Sequence, residues 1–530
     1  MKHETSFGNY FKLPNPGLRS YFSKVRRGQP EEYRTPFANK DPVGKVLAEW
    51  ESTVQTLKNT WPTLLDYEND MKAKVGPLSI EKPLAERLED IDHYYDDVKV
   101  SSTSISEDAV AAVVDEFKCA AGMRVRSAPK TLERMKLSTN SGSPYFTKRR
   151  NVKDLTLSGK LITSELQQGR YQLLDRAYDY CAVLGWRGQE GGPLYEDVKQ
   201  RVVWMFPFLV NLHELRLYQV LIESCQRFNL VPAWVSMDNV DREITQLFDT
   251  KGRSELVICT DFSKFDQHFN HDMQEGALHI LDKLFTPNSD YTSWTKDVFP
   301  IKYEIPLAYD YGKIRFGTHG MGSGSGGTNA DETLAHRALQ HEAALNKSVK
   351  LNLHSMCLGD DGVLSYPGIN IDDVMRSYTA HGQEMNEDKQ YVSTQDCVYL
   401  RRWHHTDYRV RGVCVGVYST YRALGRLMEQ ERFYDPDKWS KEMVALRQLS
   451  ILENCKWHPL KEKFVEFCMK RDKYRLGLDI PGFLPEIASY AKEATDYMPD
   501  FLGYTKSLQN QDPTAGIENW WIVNYLRHYK

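Results

Sequence analysis

The chain has 530 residues, of which 41% are hydrophobic and 26% charged, with a formal net charge of -4 at pH 7. That profile belongs to a globular protein large enough for several cores, and it excludes disordered, collagen-like and small disulfide-stapled classes. A slightly acidic chain can hold nucleic acid only by gathering its basic residues locally.

The nine cysteines, from Cys119 to Cys468, include no CxxC pair. This argues against a disulfide framework or a cysteine zinc site and predicts a reducing setting. The opening MKHETSFGNYFKLPNPG lacks the apolar core of a signal peptide. No uncharged apolar stretch approaches the ~18 residues that span a bilayer, so a soluble chain with no membrane partner is expected.

Residues 1–110 mix charge and aromatics between prolines and read as loops with a few helices, one over residues 46–64. From Lys118 to Lys153 there are ten Lys or Arg and one acid, Glu133. Such a run is either a solvated basic face or a track for a phosphate backbone. Ser141-Gly142-Ser143-Pro144 within it predicts a tight, exposed loop. Residues 196–235 begin strand-like and become a long amphipathic helix. Residues 255–260 form a short apolar, β-branched strand that runs directly into Asp261. Residues 273–284 look helical, and 287–316 read as loops and strands. Six glycines fall between residues 317 and 327, and a helix should open near Thr328. The apolar runs 351–358 and 363–366, joined by Gly359-Asp360-Asp361-Gly362, predict a β-hairpin. A short strand pair follows Asp396. Beyond residue 435 the pattern is helical, with Leu446, Leu449 and Leu452, then Phe464, Phe467 and Cys468, at helical spacing. Trp520, Trp521, Tyr525 and Tyr529 crowd the C-terminus. They form either a tail docked on the preceding helices or a platform that stacks on an initiating nucleotide.

Asp261 ends a strand, and Asp360 and Asp361 sit at a hairpin tip. A rigid scaffold presents side chains at such places while leaving them reachable. Like charges gathered there are costly unless a cation neutralises them, and carboxylates are the hard oxygen ligands that Mg²⁺ prefers. Such a cluster suits in-line displacement at phosphorus, with two metals roughly 3.5–4 Å apart serving the attacking and leaving oxygens. A lone Gly-Asp-Asp is more often a solvated turn. The reading therefore rests on the combination, and it requires Asp261 to lie within about 10 Å of the hairpin tip so that ions can bridge the acids.

In order and spacing, residues from about 140 to 405 resemble the motifs of viral RNA-dependent RNA polymerases, most of all those of picobirnaviruses, with partitivirus polymerases next. Asp261-Phe-Ser-Lys-Phe-Asp266 resembles motif A, which implies Asp261 as a metal ligand and Asp266 as a reader of the ribose 2′-hydroxyl. Ser323-Gly324 and Thr328 resemble motif B, whose glycines let backbone approach template and nucleotide. Many relatives carry an Asn four residues after that Thr. Here Glu332 stands there and Asn329 follows the Thr, so which of the two partners Asp266 stays open. Gly359-Asp360-Asp361 resembles motif C, with Asp360 and Asp361 as metal ligands. Residues 386–389 resemble motif D, which makes Lys389 the general acid for pyrophosphate. Residues 399–402 resemble motif E, placing Arg401 and Arg402 near the primer strand. Lys199 and Arg201 resemble motif F, the triphosphate clamp, for which bidentate Arg201 is the better suited. Residues 139–144 resemble motif G, with Ser141, Gly142, Ser143 and nearby Lys148 and Arg149 along the template.

The resemblance implies an α+β right-hand polymerase, with an antiparallel palm sheet backed by helices and a mostly helical thumb. Residues 1–110 would bridge fingers and thumb. Fingers would occupy 111–250 with an insertion at 285–316, palm 251–284 and 317–405, and thumb and tail 406–530. It also implies two Mg²⁺ or Mn²⁺ ions, RNA template and product, ribonucleoside triphosphates, and a capsid protein as a further candidate partner. The setting would be the virion interior and host cytoplasm, and the genome double-stranded RNA.

Three rivals carry less. Gly322-Ser-Gly324-Ser-Gly-Gly327 fits the GxGxxG of a dinucleotide-binding oxidoreductase. Asp360 then lies 33 residues beyond Gly327, where about 20 is usual, and Asp261 goes unused. A non-catalytic RNA-binding protein would use residues 118–153 alone. A reverse transcriptase would usually carry an aromatic residue in place of Asp266.

Overall fold

The computed structural model describes residues 17–163, 169–173, 176–179, 181–498, 501–502 and 512–530. In chain order its strands are β1 (Lys160–Thr163), β2 (Gly169–Leu173), β3 (Arg176–Asp179), β4 (Ala182–Gln189), β5 (Lys199–Met205), β6 (Val257–Thr260), β7 (Leu307–Asp310), β8 (Lys313–Arg315), β9 (Met356–Leu358), β10 (Asp361–Leu364), β11 (Tyr391–Ser393), β12 (Asp396–Tyr399), β13 (Arg402–His405) and β14 (Val417–Tyr418). They build four sheets, ordered β1-β2-β3, β5-β4-β7-β8, β11-β6-β10-β9 and β12-β13-β14.

The central sheet, β11-β6-β10-β9, is antiparallel throughout. Its middle strand β6 is buried at every position, which is why residues 255–260 read as a continuous apolar run rather than an alternating one. Behind the sheet pack the helices Glu107–Phe117, His271–Leu284, Thr328–Leu345 and Ile371–Thr379. The Thr328–Leu345 helix is buried around nearly its whole circumference. Its polar residues are tolerated because they are bonded. Arg337 forks onto both oxygens of Glu116 at 2.9 and 3.0 Å, and Gln340 Nε2 donates to Met356 O at 2.8 Å.

In the second sheet, β4 pairs antiparallel with β5 and parallel with β7, so the chain returns after some 120 residues to extend the same sheet. The stretch 287–316 is richer than loops and strands. Asn288 accepts from Tyr291 N and starts the Ser289–Asp297 helix, and a short helix, Ile301–Glu304, follows Pro300. The expected helix over 46–64 is two helices, Val43–Val54 and Pro62–Lys74, with a 3-10 turn between them. Pro62 cannot continue the first and opens the second.

The N-terminal residues are shared among several cores. Residues 84–95 pack with 182–210 and 301–307, while 37–75 share a core with 403–526. Trp50 anchors the latter: its indole donates to Thr420 Oγ1 at 2.8 Å, and its ring meets Phe464 and Phe467, each at 5.1 Å. The aromatic C-terminus docks on this helical region. Ile522, Val523 and Leu526 are buried, and Ile522 N donates to Glu453 Oε2 at 2.9 Å. The surface-docked reading therefore holds, and Trp521, Tyr525 and Tyr529 run as a row of rings along the docked helix.

One buried charge pair ties residues 285–316 to the central helix. Lys302 Nζ lies 3.0 Å from Asp331 Oδ2, with both side chains fully buried. Tyr218 and Tyr303 donate hydroxyls to the same carboxylate at 2.7 and 2.6 Å, and the Phe299 ring centroid is 3.7 Å from the ammonium. Removing one member of such a pair leaves the other uncompensated. Lys302→Met should therefore destabilise the fold by about 3–5 kcal/mol in denaturant unfolding. A loss below about 1 kcal/mol would mean that the two tyrosines alone satisfy Asp331.

Candidate active site

Thr260 faces Gly362 across β6 and β10. The next residues along these strands, Asp261 and Asp361, therefore leave the ladder at the same end, at facing positions about 5 Å apart between Cα atoms. Asp360 sits in the turn beside them. Neighbours fix the acids or the turn that carries them. Gln390 bonds Asp261 on both sides, accepting from its N–H at 2.7 Å and donating to its carbonyl at 2.8 Å. Leu400 N donates to Asp361 Oδ2 at 2.8 Å. Gly359 turns at φ +58°, where only glycine is comfortable. The central helix grips it from both ends: Gly359 N donates to Thr333 Oγ1 at 2.9 Å, and His336 Nδ1 bonds its carbonyl at 2.8 Å. Burial presses the His336 imidazole down to about 4, so the ring is neutral.

Nearby cations offset the acids only in part. Burial, then repulsion from Asp360, pushes Asp361 up to about 7. Asp360 is raised by burial and by Asp266 and Asp261, against Arg201. Asp261 is raised by burial, against Lys389, Lys74 and Lys199. Among the described residues no three such side chains are drawn into a finished coordination shell. Their donors are hard carboxylate oxygens gathered at one strand end and only partly offset by nearby cations. That donor set fits Mg²⁺ or Mn²⁺.

Cations surround the acids. Lys199 and Arg201 share the exposed face of β5, while Val202 and Trp204 bury theirs. Lys389 is exposed in the Glu387–Lys389 turn. Lys74, which no sequence pattern singles out, ends the Pro62–Lys74 helix. Its ammonium is lowered by burial, then by Lys199 and Arg401, while Asp261 opposes the shift. Tyr67 on that helix donates to Arg401 O at 2.6 Å, which sets the position. Such long-range convergence leaves no local pattern to read.

The glycine loop lies against β5. Ser323 Oγ donates to Val202 O at 3.3 Å and accepts from Trp204 N at 3.2 Å. A Cβ on Gly324 would come 1.7 Å from Trp204 O, so only glycine permits this contact. Thr328 Oγ1 donates to Gly322 O and Ser325 O at 3.1 and 3.2 Å, closing the loop onto its helix. Asn329 Oδ1 accepts from Trp234 Nε1 at 2.8 Å, and its Nδ2 stands 3.7 Å from the point where a Cβ on Gly359 would be. Glu332 Oε2 stands 3.5 Å from that same point, and burial, then Asp266, raises its carboxyl well above the usual carboxylate range. The dinucleotide-binding alternative fails here: the loop follows no strand directly, and the strand it rests on, β5, pairs antiparallel with β4.

Several expected RNA contacts are corrected. The 141–144 loop is buried rather than exposed. Phe208 N donates to Ser141 O at 2.8 Å, and a Cβ on Gly142 would lie 2.6 Å from Phe206 O. Ser141 and Ser143 are 1% and 2% exposed, and Ser141 and Gly142 are packed against the 206–208 segment. Arg149 points inward: its guanidinium donates to Asn211 Oδ1 at 2.8 Å and lies 5.0 Å from the Phe208 ring centroid. Asn211 in turn holds Gly324 O at 3.2 Å, so Arg149 braces the glycine loop. Arg402 is buried beside Gly416 and the Asp241 carboxyl. A basic residue in a sequence does not announce its partner. Lys148 and Arg401 remain exposed, Arg401 near Glu190 at 3.8 Å.

A family model described as "Viral RNA-dependent RNA polymerase" matches residues 86–413. Over 529 residues, 98% of each chain, the sequence is 57% identical to the "Potential RNA-dependent RNA polymerase" of a human picobirnavirus, strain Human/Thailand/Hy005102. The fold superposes on the crystal structure of the RNA-dependent RNA polymerase of a human picobirnavirus with a TM-score of 0.94 and 56% identity, covering 99% of both chains. An insertion-loop deletion mutant of such a polymerase gives 0.93 and 54%, again over 99% of both. The architecture is thus the right-hand polymerase fold. With the paired acids at its centre, this chain belongs to the viral RNA-dependent RNA polymerases, most similar to those of picobirnaviruses.

Proposed function

We propose that this polymerase copies RNA by two-metal nucleotidyl transfer at Asp261, Asp360 and Asp361, replicating and transcribing a double-stranded RNA genome inside the virion and in the host cytoplasm. The observation that carries the chemistry is the pairing of β6 with β10, which brings acids from distant parts of the sequence to one strand end. When bound, two divalent cations, Mg²⁺ or Mn²⁺, supply acidity for the attacking 3′-hydroxyl and neutralise the leaving pyrophosphate.

The chain's own residues do the rest. Arg201 and Lys199 hold triphosphate oxygens, Arg201 with the two-pronged geometry that suits phosphate. Lys74 adds a third cation at the meeting of Lys199, Arg401 and Asp261. The 3′-oxygen attacks the α-phosphorus, the bond to the β-phosphate oxygen breaks, and Lys389 gives a proton to the departing pyrophosphate. Asp266 reads the ribose 2′-hydroxyl. Ser323, Gly324 and Thr328 shape the loop against which nucleotide and template lie. Lys148 and Arg401 remain on the RNA path.

We assign fingers to 111–250 and 285–316, palm to 251–284 and 317–405, and thumb to 406–530. Two features support this: residues 307–315 add strands to the β4–β5 sheet, and within 1–110 residues 37–75 join the core of 403–526 while 84–95 join that of 182–210, as a fingers–thumb bridge would. A capsid protein remains a candidate partner on the outer surface.

Ribonucleotide incorporation on an RNA template tests the reading. Asp360→Asn should reduce it by at least a thousandfold, and Asp266→Asn should weaken the preference for ribose over deoxyribose. Full activity of Asp360→Asn would remove the metal site from the account. Lys74→Ala should raise the KM for nucleoside triphosphate several-fold with little change in kcat, as loss of a uniform binding contact does. An unchanged KM would remove Lys74 from the triphosphate path.

A further inference from the structure

The Thr328–Leu345 helix and β9 border a cavity of about 230 Å³ beside residues 229–232. None of its lining residues belongs to the catalytic or nucleotide-contacting set. Phe117, Leu230, Val231, Pro232 and Met356 make apolar walls, and Leu353, 62% exposed, stands at the mouth. Phe228, 42% exposed, adjoins the rim at Asn229. Large apolar side chains left in water around an apolar hollow mark a place where something else packs.

The polar groups of the lining are unevenly satisfied. Arg337 has all five of its N–H bonds in use. It forks onto Glu116, and it donates to Gln340 Oε1, Ser355 O and Leu353 O at 2.9, 2.6 and 3.2 Å. Glu116 is neutralised by that fork. Glu243 has no such partner: His354 Nδ1 bonds its Oε1 at 2.7 Å, and among the described residues no hydrogen bond reaches its Oε2. Two carboxylates therefore line the cavity against one permanent cation, which is already spent. An anion would find no donor here, whereas a positive group would find the free oxygen of Glu243. Size sets the rest. An apolar void of about 150 Å³ admits benzene, so this one admits a ring with a short arm.

The inner wall is built from supports of the Gly359 turn. Thr333, whose Oγ1 accepts from Gly359 N, and Cys357, which faces Gly362 across β9 and β10, both line the cavity. Cys357 Sγ donates to Thr333 O at 3.5 Å, which joins the two supports. A molecule lodged against them touches what holds Asp360 and Asp361 in place.

We propose that this cavity is a regulatory site for a small organic ammonium ion, its apolar part against Leu230, Val231 and Met356 and its charge at Glu243, and that occupancy stiffens the Gly359 turn through Thr333 and Cys357. A turn whose acids must draw together around cations then works more slowly. The binding is independent of the catalytic reading of the turn, and the regulation rests on it.

The test uses the full chain and two probes that share a ring, 2-phenylethylammonium and phenylacetate, in calorimetric titration and crystal soaks. The ammonium should bind with a Kd on the order of 1 mM, and phenylacetate at least tenfold more weakly. Glu243→Gln, which keeps the shape and can still bond His354, should bring the two affinities within about threefold. Saturating 2-phenylethylammonium should lower kcat for ribonucleotide incorporation at least twofold and leave the nucleotide KM unchanged. Leu230→Trp, which fills the cavity, should abolish both binding and inhibition. No binding in solution, equal binding of the two probes by wild type, or probe density anywhere but this cavity overturns the proposal. Should Leu230→Trp fail to fold, Glu243→Gln still decides, because an unchanged preference for the ammonium in it overturns the assignment of the charge. Binding here with kcat unchanged overturns the regulatory role. Full activity of Asp360→Asn, measured alongside, would instead overturn the catalytic reading of the turn.

Discussion

Mutual repulsion among Asp261, Asp360 and Asp361 is the constraint to which the surrounding structure answers. Acids placed on facing ends of adjacent strands, with Asp361 pushed up to about 7, would relax by moving apart if their backbones were free. They are not free. Gln390 clasps the backbone at 261, Leu400 N–H holds the Asp361 carboxylate, and Thr333 with His336 grips Gly359. Each hold comes from a different part of the chain, so the cluster is a property of the assembled fold. The energy stored in crowded carboxylates is what a divalent cation releases on binding.

A second layer of bonds positions the residues that meet nucleotide. The glycine loop rests on β5 through Ser323 and Gly324, and the same strand presents Lys199 and Arg201 on its open face. Glu214 supports that loop from beneath, accepting from Gly326 N at 3.2 Å and bonding Asn211 at 3.0 Å, while Arg149 reaches Asn211 from outside. Deeper still, Lys302 and Asp331 fix the helix that begins there. Loop, strand and helix are therefore linked, and displacement of one would shift triphosphate clamp and sugar pocket together. Preorganisation of this kind is what lets a site act by position and field rather than by covalent chemistry.

The parts of this site that could be read from the sequence were those whose function sets local pattern. Asp261 stood out because a buried strand is a run of apolar residues and the acid interrupts it. Asp360 and Asp361 stood out because a hairpin turn needs Gly359. Residues whose roles depend on distant partners were misread or missed. Arg402 looked like an RNA ligand until Asp241 proved to be its neighbour, and Arg149 until Asn211 did. Ser141 and Ser143 carried turn chemistry, which says where a chain bends and nothing about what packs on the bend. Lys74 had no signal, since its closeness to Asp261 depends on Tyr67 meeting Arg401, more than 300 residues away in sequence. That Asn329 and Glu332 both reach the Gly359 turn, with Trp234 holding the Asn329 oxygen, likewise depends on contacts distant in sequence.

The claim on which everything else depends is that Asp261 and the hairpin acids bind divalent cations jointly. Anomalous diffraction from crystals soaked with Mn²⁺ and a non-hydrolysable nucleoside triphosphate measures this directly. The account predicts Mn²⁺ peaks within about 2.0–2.3 Å of carboxylate oxygens, at least one bridging Asp261 and Asp360. Fully occupied nucleotide with Mn²⁺ bound only to its phosphates, and to neither acid, would contradict it.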